Sequence, residues 1–199
     1  MKIQSSFWLA IMASLILSAC STSVERLDAQ QQIDLSGAWN DTDSQLVARE
    51  MIEDSLSRAW ISKFVKTEGK DPAVIVGRVK NLSHEHINTN TFIANMEREL
   101  INSGEVQFVA SSANRQEIRD ERADQDLNAS EATRKEMGQE YGADFMMQGQ
   151  INTIIDVDGS TQVRFYQVNL ELISIKDNRK VWIGEKKIKK LIKNSKLRG

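Results

Sequence analysis

Over residues 41–64 apolar side chains recur with helical spacing, Ala48, Ile52, Leu56 and the Ala59/Trp60 pair falling at i, i+4 and i+7/8. The pattern predicts a single helix capped by Asp41 or Thr42. Residues 69–72 break it at Gly69 and Pro72, and 73–79 (AVIVGRV) is an almost continuously apolar, β-branched run that suits a central strand covered on both faces. A polar loop over 81–90 precedes a second helix with Phe92, Ile93, Met96, Leu100 and Ile101 on one side, and Gly104 ends it. Residues 106–110 form the next strand. Two polar helical segments are expected after it, 114–126 and 130–141, the second with Ser130 as N-cap and Gly142 as terminator.

From Asp144 the period shortens to two. Residues 145–155, 163–175 and 180–188 read as strands, with turns at 156–159 and 176–179. In the middle strand Tyr166, Val168, Leu170 and Leu172 share one face, while Gln167, Asn169 and Glu171 share the other, as in a meander with one wet face. Early helices and late strands without an internal repeat predict an α/β (α+β) sandwich: a small, mainly antiparallel sheet flanked by helices.

The start of the chain follows different rules. Lys2, an apolar stretch over 7–17 and the ending Leu17-Ser18-Ala19-Cys20 resemble a bacterial lipoprotein signal with its lipobox. The apolar stretch is shorter than the roughly 20 residues a spanning helix needs. Cleavage after residue 19 would make Cys20 the first mature residue, carrying diacylglycerol by thioether and an N-acyl chain; no other cofactor is expected. Cys20 is the only cysteine, so the remainder can hold neither a disulfide framework nor thiol chemistry. Residues 20–33 read as a short lipidated tether and 34–199 as one globular domain. With 40% hydrophobic and 27% charged residues the composition is that of an ordinary folded domain.

A net charge of -2 conceals a strong asymmetry. The last 24 residues, from Lys176, carry 10 Lys+Arg against 2 Asp+Glu. An exported basic strand fits anionic lipid, a wall polymer or an acidic protein face better than nucleic acid, or it is a solvated edge strand whose lysines block pairing with other edges. In the 114–126 segment Arg115, Arg119 and Arg122 form one stripe, and Glu117, Glu121 and Asp124 another on roughly the opposite face. Like charges at i, i+4 destabilise a helix, so each stripe calls for a complement. That complement is either the domain itself, such as the basic last strand against the acidic stripe, or an acidic partner docking on the arginines. Trp39 is likewise either a staple over the domain edge or an exposed interface anchor.

Catalytic signatures are weak. His84 and His86 flank Glu85 in a loop, but three adjacent ligands rarely close a metal site without others from elsewhere, and no metal is expected. There is no Gly-x-Ser-x-Gly elbow, no glycine-rich phosphate loop, and Asp156-Val-Asp-Gly159 lacks the later ligands of a calcium loop. These residues predict a protein that is not an enzyme.

Several segments taken in order resemble the penicillin-binding protein activator LpoB family of bacterial lipoproteins. They are Asp34-Leu-Ser-Gly-Ala-Trp-Asn-Asp-Thr-Asp43, Val74-Ile-Val-Gly-Arg-Val-Lys-Asn81 with Glu85-His-Ile-Asn-Thr89, Leu100-Ile-Asn-Ser-Gly104, Arg119-Asp-Glu-Arg-Ala-Asp-Gln125, Gly142-Ala-Asp-Phe145, and Tyr166-Gln-Val-Asn-Leu-Glu-Leu172 with Val181-Trp-Ile-Gly184. The resemblance implies a fold like the N-terminal domain of TolB, a lipid anchor on the periplasmic face of the outer membrane, and a monomeric domain. It also implies a role in peptidoglycan synthesis: docking on a bifunctional class A penicillin-binding protein and stimulating it. The family's long proline-rich tether has no counterpart here, since the one proline, Pro72, lies inside the domain. The alternative from another class is a structural or assembly lipoprotein that oligomerises without regulating a synthase.

Overall fold

The computed structural model describes residues 24–28, 31, 33, 35–135 and 140–193. By its internal contacts the chain divides into Met1–Ile33 and Asp34–Gly199. The described residues of the first unit form neither helix nor strand, and the expected lipid-bearing Cys20 lies outside the described residues.

In the second unit helix α1 (Asp41–Leu56) starts at Asn40, whose side chain accepts from the Asp43 amide while the Asp43 carboxylate accepts from the Asn40 amide, 3.0 Å each way. This reciprocal capping box satisfies two otherwise orphaned donors and puts the start one residue before the expected cap. The single helix expected over 41–64 is two. α1 ends at Ser57, and α2 (Trp60–Glu68) follows after a short turn. The Ser55 carbonyl, which a continuous helix would give to the Ala59 amide, accepts instead from the Trp60 indole at 2.7 Å and the Arg58 amide at 3.2 Å. Periodicity alone reads across such a break because Trp60 still points to the core. α2 ends at Gly69 in the left-handed region, φ 69°.

Strand β1 (Ala73–Leu82), helix α3 (Thr89–Ser103) and the two-residue strand β2 (Gln107–Phe108) form a parallel β-α-β unit, with α3 closed by Gly104 at φ 68°. β2 is shorter than the expected 106–110. Helix α4 (Ser112–Asn128) comes next and contributes no buried residue. The helix expected over 130–141 does not form among its described residues: 131–133 make one turn, and 140–141 are irregular. That segment offers no apolar stripe to bury, and the Lys135 amide turns back to bond the Gln125 side chain at 3.2 Å.

β3 (Phe145–Asp158), β4 (Thr161–Ser174) and β5 (Lys180–Lys193) are long antiparallel strands. β3 and β5 run past their expected ends and β4 starts two residues early, so the first turn narrows to Gly159 and Ser160, with Gly159 at φ 57° as a two-residue hairpin turn requires. The sheet order is β2-β1-β3-β4-β5, with β1 parallel to both its neighbours and the remaining pairs antiparallel. The sheet is therefore mixed, its longest ladders antiparallel.

α1 and α3 pack side by side on one face of the sheet. They deliver Val47, Ala48, Met51, Ile52, Phe92, Met96 and Leu100 against Val74, Val76, Met147, Ile151 and the predicted row Tyr166, Val168, Leu170 and Leu172. That row is at most 1% exposed. The opposite strand face carries Gln148, Gln150, Asn152, Gln167, Asn169 and Glu171, all half-buried, as the alternation predicts.

Candidate functional site

Three polar clusters organise the surface, and each begins in a local sequence feature. The first is the loop after β1. Asn81 folds it by accepting from the Ser83 amide at 3.0 Å and donating to the Glu85 carbonyl at 2.8 Å, an Asx-type turn. The turn points Glu85 inward. Its Oε2 accepts from the Trp39 amide at 3.0 Å, and its Oε1 lies 2.7 Å from both Arg164 Nη1 and Tyr166 Oη. Tyr166 Oη also lies 3.0 Å from the Gly37 carbonyl. Residues 37–39 are thus a strap held on the sheet by the Glu85 carboxylate and the Tyr166 hydroxyl. Burial, and then the Glu85 carboxylate, push the Tyr166 phenol well above its ordinary range, so it keeps its proton.

Trp39 is the staple of this strap. Its indole donates to Ser44 Oγ at 2.6 Å, and its ring meets Tyr166 and Phe92 edge-on at 5.6 and 6.2 Å between centroids. Of the flanking histidines, His84 Nδ1 lies 3.0 Å from Thr153 Oγ1, and His86 is exposed. Both Glu85 oxygens are committed to the strap and β4, so His84, Glu85 and His86 do not converge on a common point. Among the described residues no group of three or more His, Cys, Asp or Glu is placed to hold a metal ion.

The second cluster is the arginine stripe of α4. Arg119 makes a bidentate pair with Glu140, both contacts at 2.7 Å, and Arg115 Nε stands 3.7 Å from the same carboxylate. The Arg119 hydrogen bonds hold the Glu140 carboxyl below its usual range, with the Arg119, Arg115 and Arg122 charges adding to the effect. The stripe thus has a complement inside the domain. Glu140 supplies it, and sequence reasoning missed this residue because 21 positions separate it from Arg119. The acidic stripe, Glu117, Glu121 and Asp124, remains exposed and makes no ion pair with the described lysines of the last strand.

That strand pairs with α1 instead. Asp43, Glu50 and Asp54 recur at i, i+7 and i+11 along α1 and meet Lys190, Lys186 and the Trp182 indole of β5 in reverse order. Lys190 Nζ reaches Asp43 Oδ2 at 2.6 Å and the Ala38 carbonyl at 3.1 Å, tying the strap to the same edge. Arg58 first and the Trp182 indole second hold the Asp54 carboxyl below its ordinary range. The column is legible in the sequence as an acidic period of a helix turn and its multiples. The outward residues Lys189 and Lys193 are exposed on the edge strand.

No helix among the described residues is long and apolar enough to cross a membrane. No curated protein sequence matches the chain. Among solved structures, the C-terminal domain of LpoB from Escherichia coli aligns at 14% identity with a TM-score of 0.42, covering 73% of this chain and 98% of that one. The solution structure of LpoB from Escherichia coli aligns at 13% identity and 0.40, covering 89% and 86%. The lipoprotein GNA1162 of Neisseria meningitidis aligns at 15% and 0.41, covering 63% and 88%. The sequence model of the peptidoglycan-synthase activator LpoB matches residues 43–188, from the capping box of α1 into β5. The chain belongs to the peptidoglycan-synthase activator LpoB family.

Proposed function

We propose that the chain is a lipid-anchored periplasmic regulator on the outer membrane that binds a class A penicillin-binding protein and stimulates it. The observation that carries this reading is the family match over 43–188, which spans every element that builds the core. The lipobox at Cys20 supplies the anchor in this reading. The roughly 20 residues between it and α1 reach at most about 70 Å when extended and much less as a coil, so the partner must come close to the membrane.

Regulation here means contact, without chemistry of the domain's own. Arg115, Arg119, Arg122 and Trp39 are the candidate docking residues from the sequence. Trp39 is occupied as the staple of the strap, so docking through it would cost the strap. Docking through the arginines would exchange Glu140 for a partner's carboxylate, which Arg119, half-exposed, allows.

Capture of the host's class A synthases on the immobilised mature chain, followed by glycan polymerisation with and without it, tests the reading. Binding with a raised polymerisation rate is expected. Binding to none of them sinks it, and a ring or higher oligomer in solution would then favour the assembly role.

A further inference from the structure

At the end of the sheet away from the strap, α2 and the β4–β5 hairpin enclose an open cleft of about 900 Å³. Its floor is aromatic. Trp60 and Phe64 meet Phe145 edge-on at 5.1 and 5.2 Å, and Val181 and the half-exposed Ile175 line the wall. Its rim is charged and unevenly matched. The three carboxylates of the cleft each have a cation: Asp144 pairs with Lys70 at 3.0 Å, Glu68 with Lys176 at 3.5 Å, and Asp177 with Arg179 at 2.7 Å. Arg58 is paired with Asp54, outside the cleft. Lys63 also lines the cleft, is exposed, and makes no ion pair among the described residues. The rim therefore carries more positive than negative charge above an apolar floor.

Position adds to chemistry. The strap bonds Tyr166 and Lys190, whereas the cleft is built from 174–181, the far end of the same two strands. Eight residues of β4 separate them, about 27 Å. The cleft therefore lies clear of the strap, at the opposite end of β4 and β5.

We propose that the cleft is the docking site for an extended acidic segment of the partner protein, with an aromatic or branched aliphatic side chain set against Phe64, Val181 and Ile175 and a carboxylate beside Lys63. Burial of the apolar side chain supplies affinity, and the cationic rim selects sign and speeds encounter. The weakly held Lys176, 82% exposed, is free to leave Glu68 for the incoming carboxylate. The inference rests on the synthase-binding reading for the partner's identity, but not for the chemistry of the cleft.

The test uses the mature chain and its Lys63→Glu/Lys176→Glu variant, in which both changes are exposed and unfolding temperature should hold. Affinity for the captured class A synthase should fall by at least about ten-fold. Equal affinity of variant and wild type would overturn the cleft while leaving the synthase reading intact. If the wild type binds no class A synthase, the probe becomes a synthetic pentapeptide of sequence Glu-Asp-Phe-Glu-Asp, followed by amide shifts of the labelled chain. Saturable shifts at Phe64, Ile175 and Val181 that vanish in the variant keep the cleft as an acidic-peptide site. Absent or scattered shifts reject it.

Discussion

Lys190 Nζ sits 2.6 Å from Asp43 Oδ2, and the two side chains are only 12% and 7% exposed. The same carboxylate oxygen accepts from the Asn40 amide, so one group closes the helix cap and holds the edge strand. Removing Asp43 takes a buried carboxylate partner from Lys190 and opens the cap. Asp43→Ala should cost about 2 kcal/mol or more. Lys190→Met should cost less, because Asp43 keeps its cap bond and lies in the first turn, where the helix dipole favours a negative charge. Chemical denaturation of both variants checks this, and equal losses would count against it.

Glu85 joins the Trp39 amide of the strap to Arg164 and Tyr166 of β4. Glu85→Ala leaves the Trp39 amide and Arg164 short of an acceptor, while Tyr166 keeps the Gly37 carbonyl, and should cost about 2 to 3 kcal/mol. Tyr166→Phe removes one hydroxyl and should cost about 1 kcal/mol. Denaturation gives both numbers. Trp39 emission should shift to the red in the Glu85 variant alone, since the strap lifts; unchanged emission would show that the strap holds without Glu85.

Gly149 faces β4 at close quarters. A Cβ there would lie 2.1 Å from the Asn169 carbonyl oxygen and 2.6 Å from Leu170 Cδ2. The first of these atoms is backbone within a continuous ladder and cannot swing aside. Gly149→Ala should destabilise by about 2 kcal/mol, read by thermal or chemical unfolding, and a neutral outcome would mean that the ladder parts easily.

The clasp between α4 and Glu140 should depend on pH. The Glu140 carboxyl is held below its usual range when folded, so its contribution is fully present above the unfolded value and lost as pH falls through the folded one. Hydrogen exchange of α4 amides should therefore rise below the ordinary carboxylate range, while β3 and β4 stay protected. Glu140→Gln should show that faster exchange already at neutral pH. Identical exchange in the two proteins would show that α4 is held by something else.

Most of the core was legible before any fold was known. The row Tyr166, Val168, Leu170, Leu172 and the stripe Phe92, Met96, Leu100 follow from alternation and helical spacing, because a buried face imposes its period on the sequence whatever it packs against. The break at Ser57 was not legible. It depends on the Trp60 indole taking the Ser55 carbonyl, a bond that a helical period neither requires nor forbids. The helix expected over 130–141, absent among its described residues, failed for the opposite reason: its caps were plausible, but the segment carries little apolar side chain to bury.

The pairing of charges separates the two sources most clearly. From the residue pattern alone it follows that the arginine and acidic stripes of α4 each call for a complement, that one face of β4 is polar, and, by resemblance, which family the chain joins. That Glu140 answers the arginines, that α1 answers the lysines of β5, and that Glu85 joins the strap to Arg164 and Tyr166 emerges once the chain is folded. The physical reason is range. Burial periodicity acts through near neighbours on one element, whereas ion pairs and hydrogen bonds across 21 to 147 positions exist only once the chain has closed the distance between them.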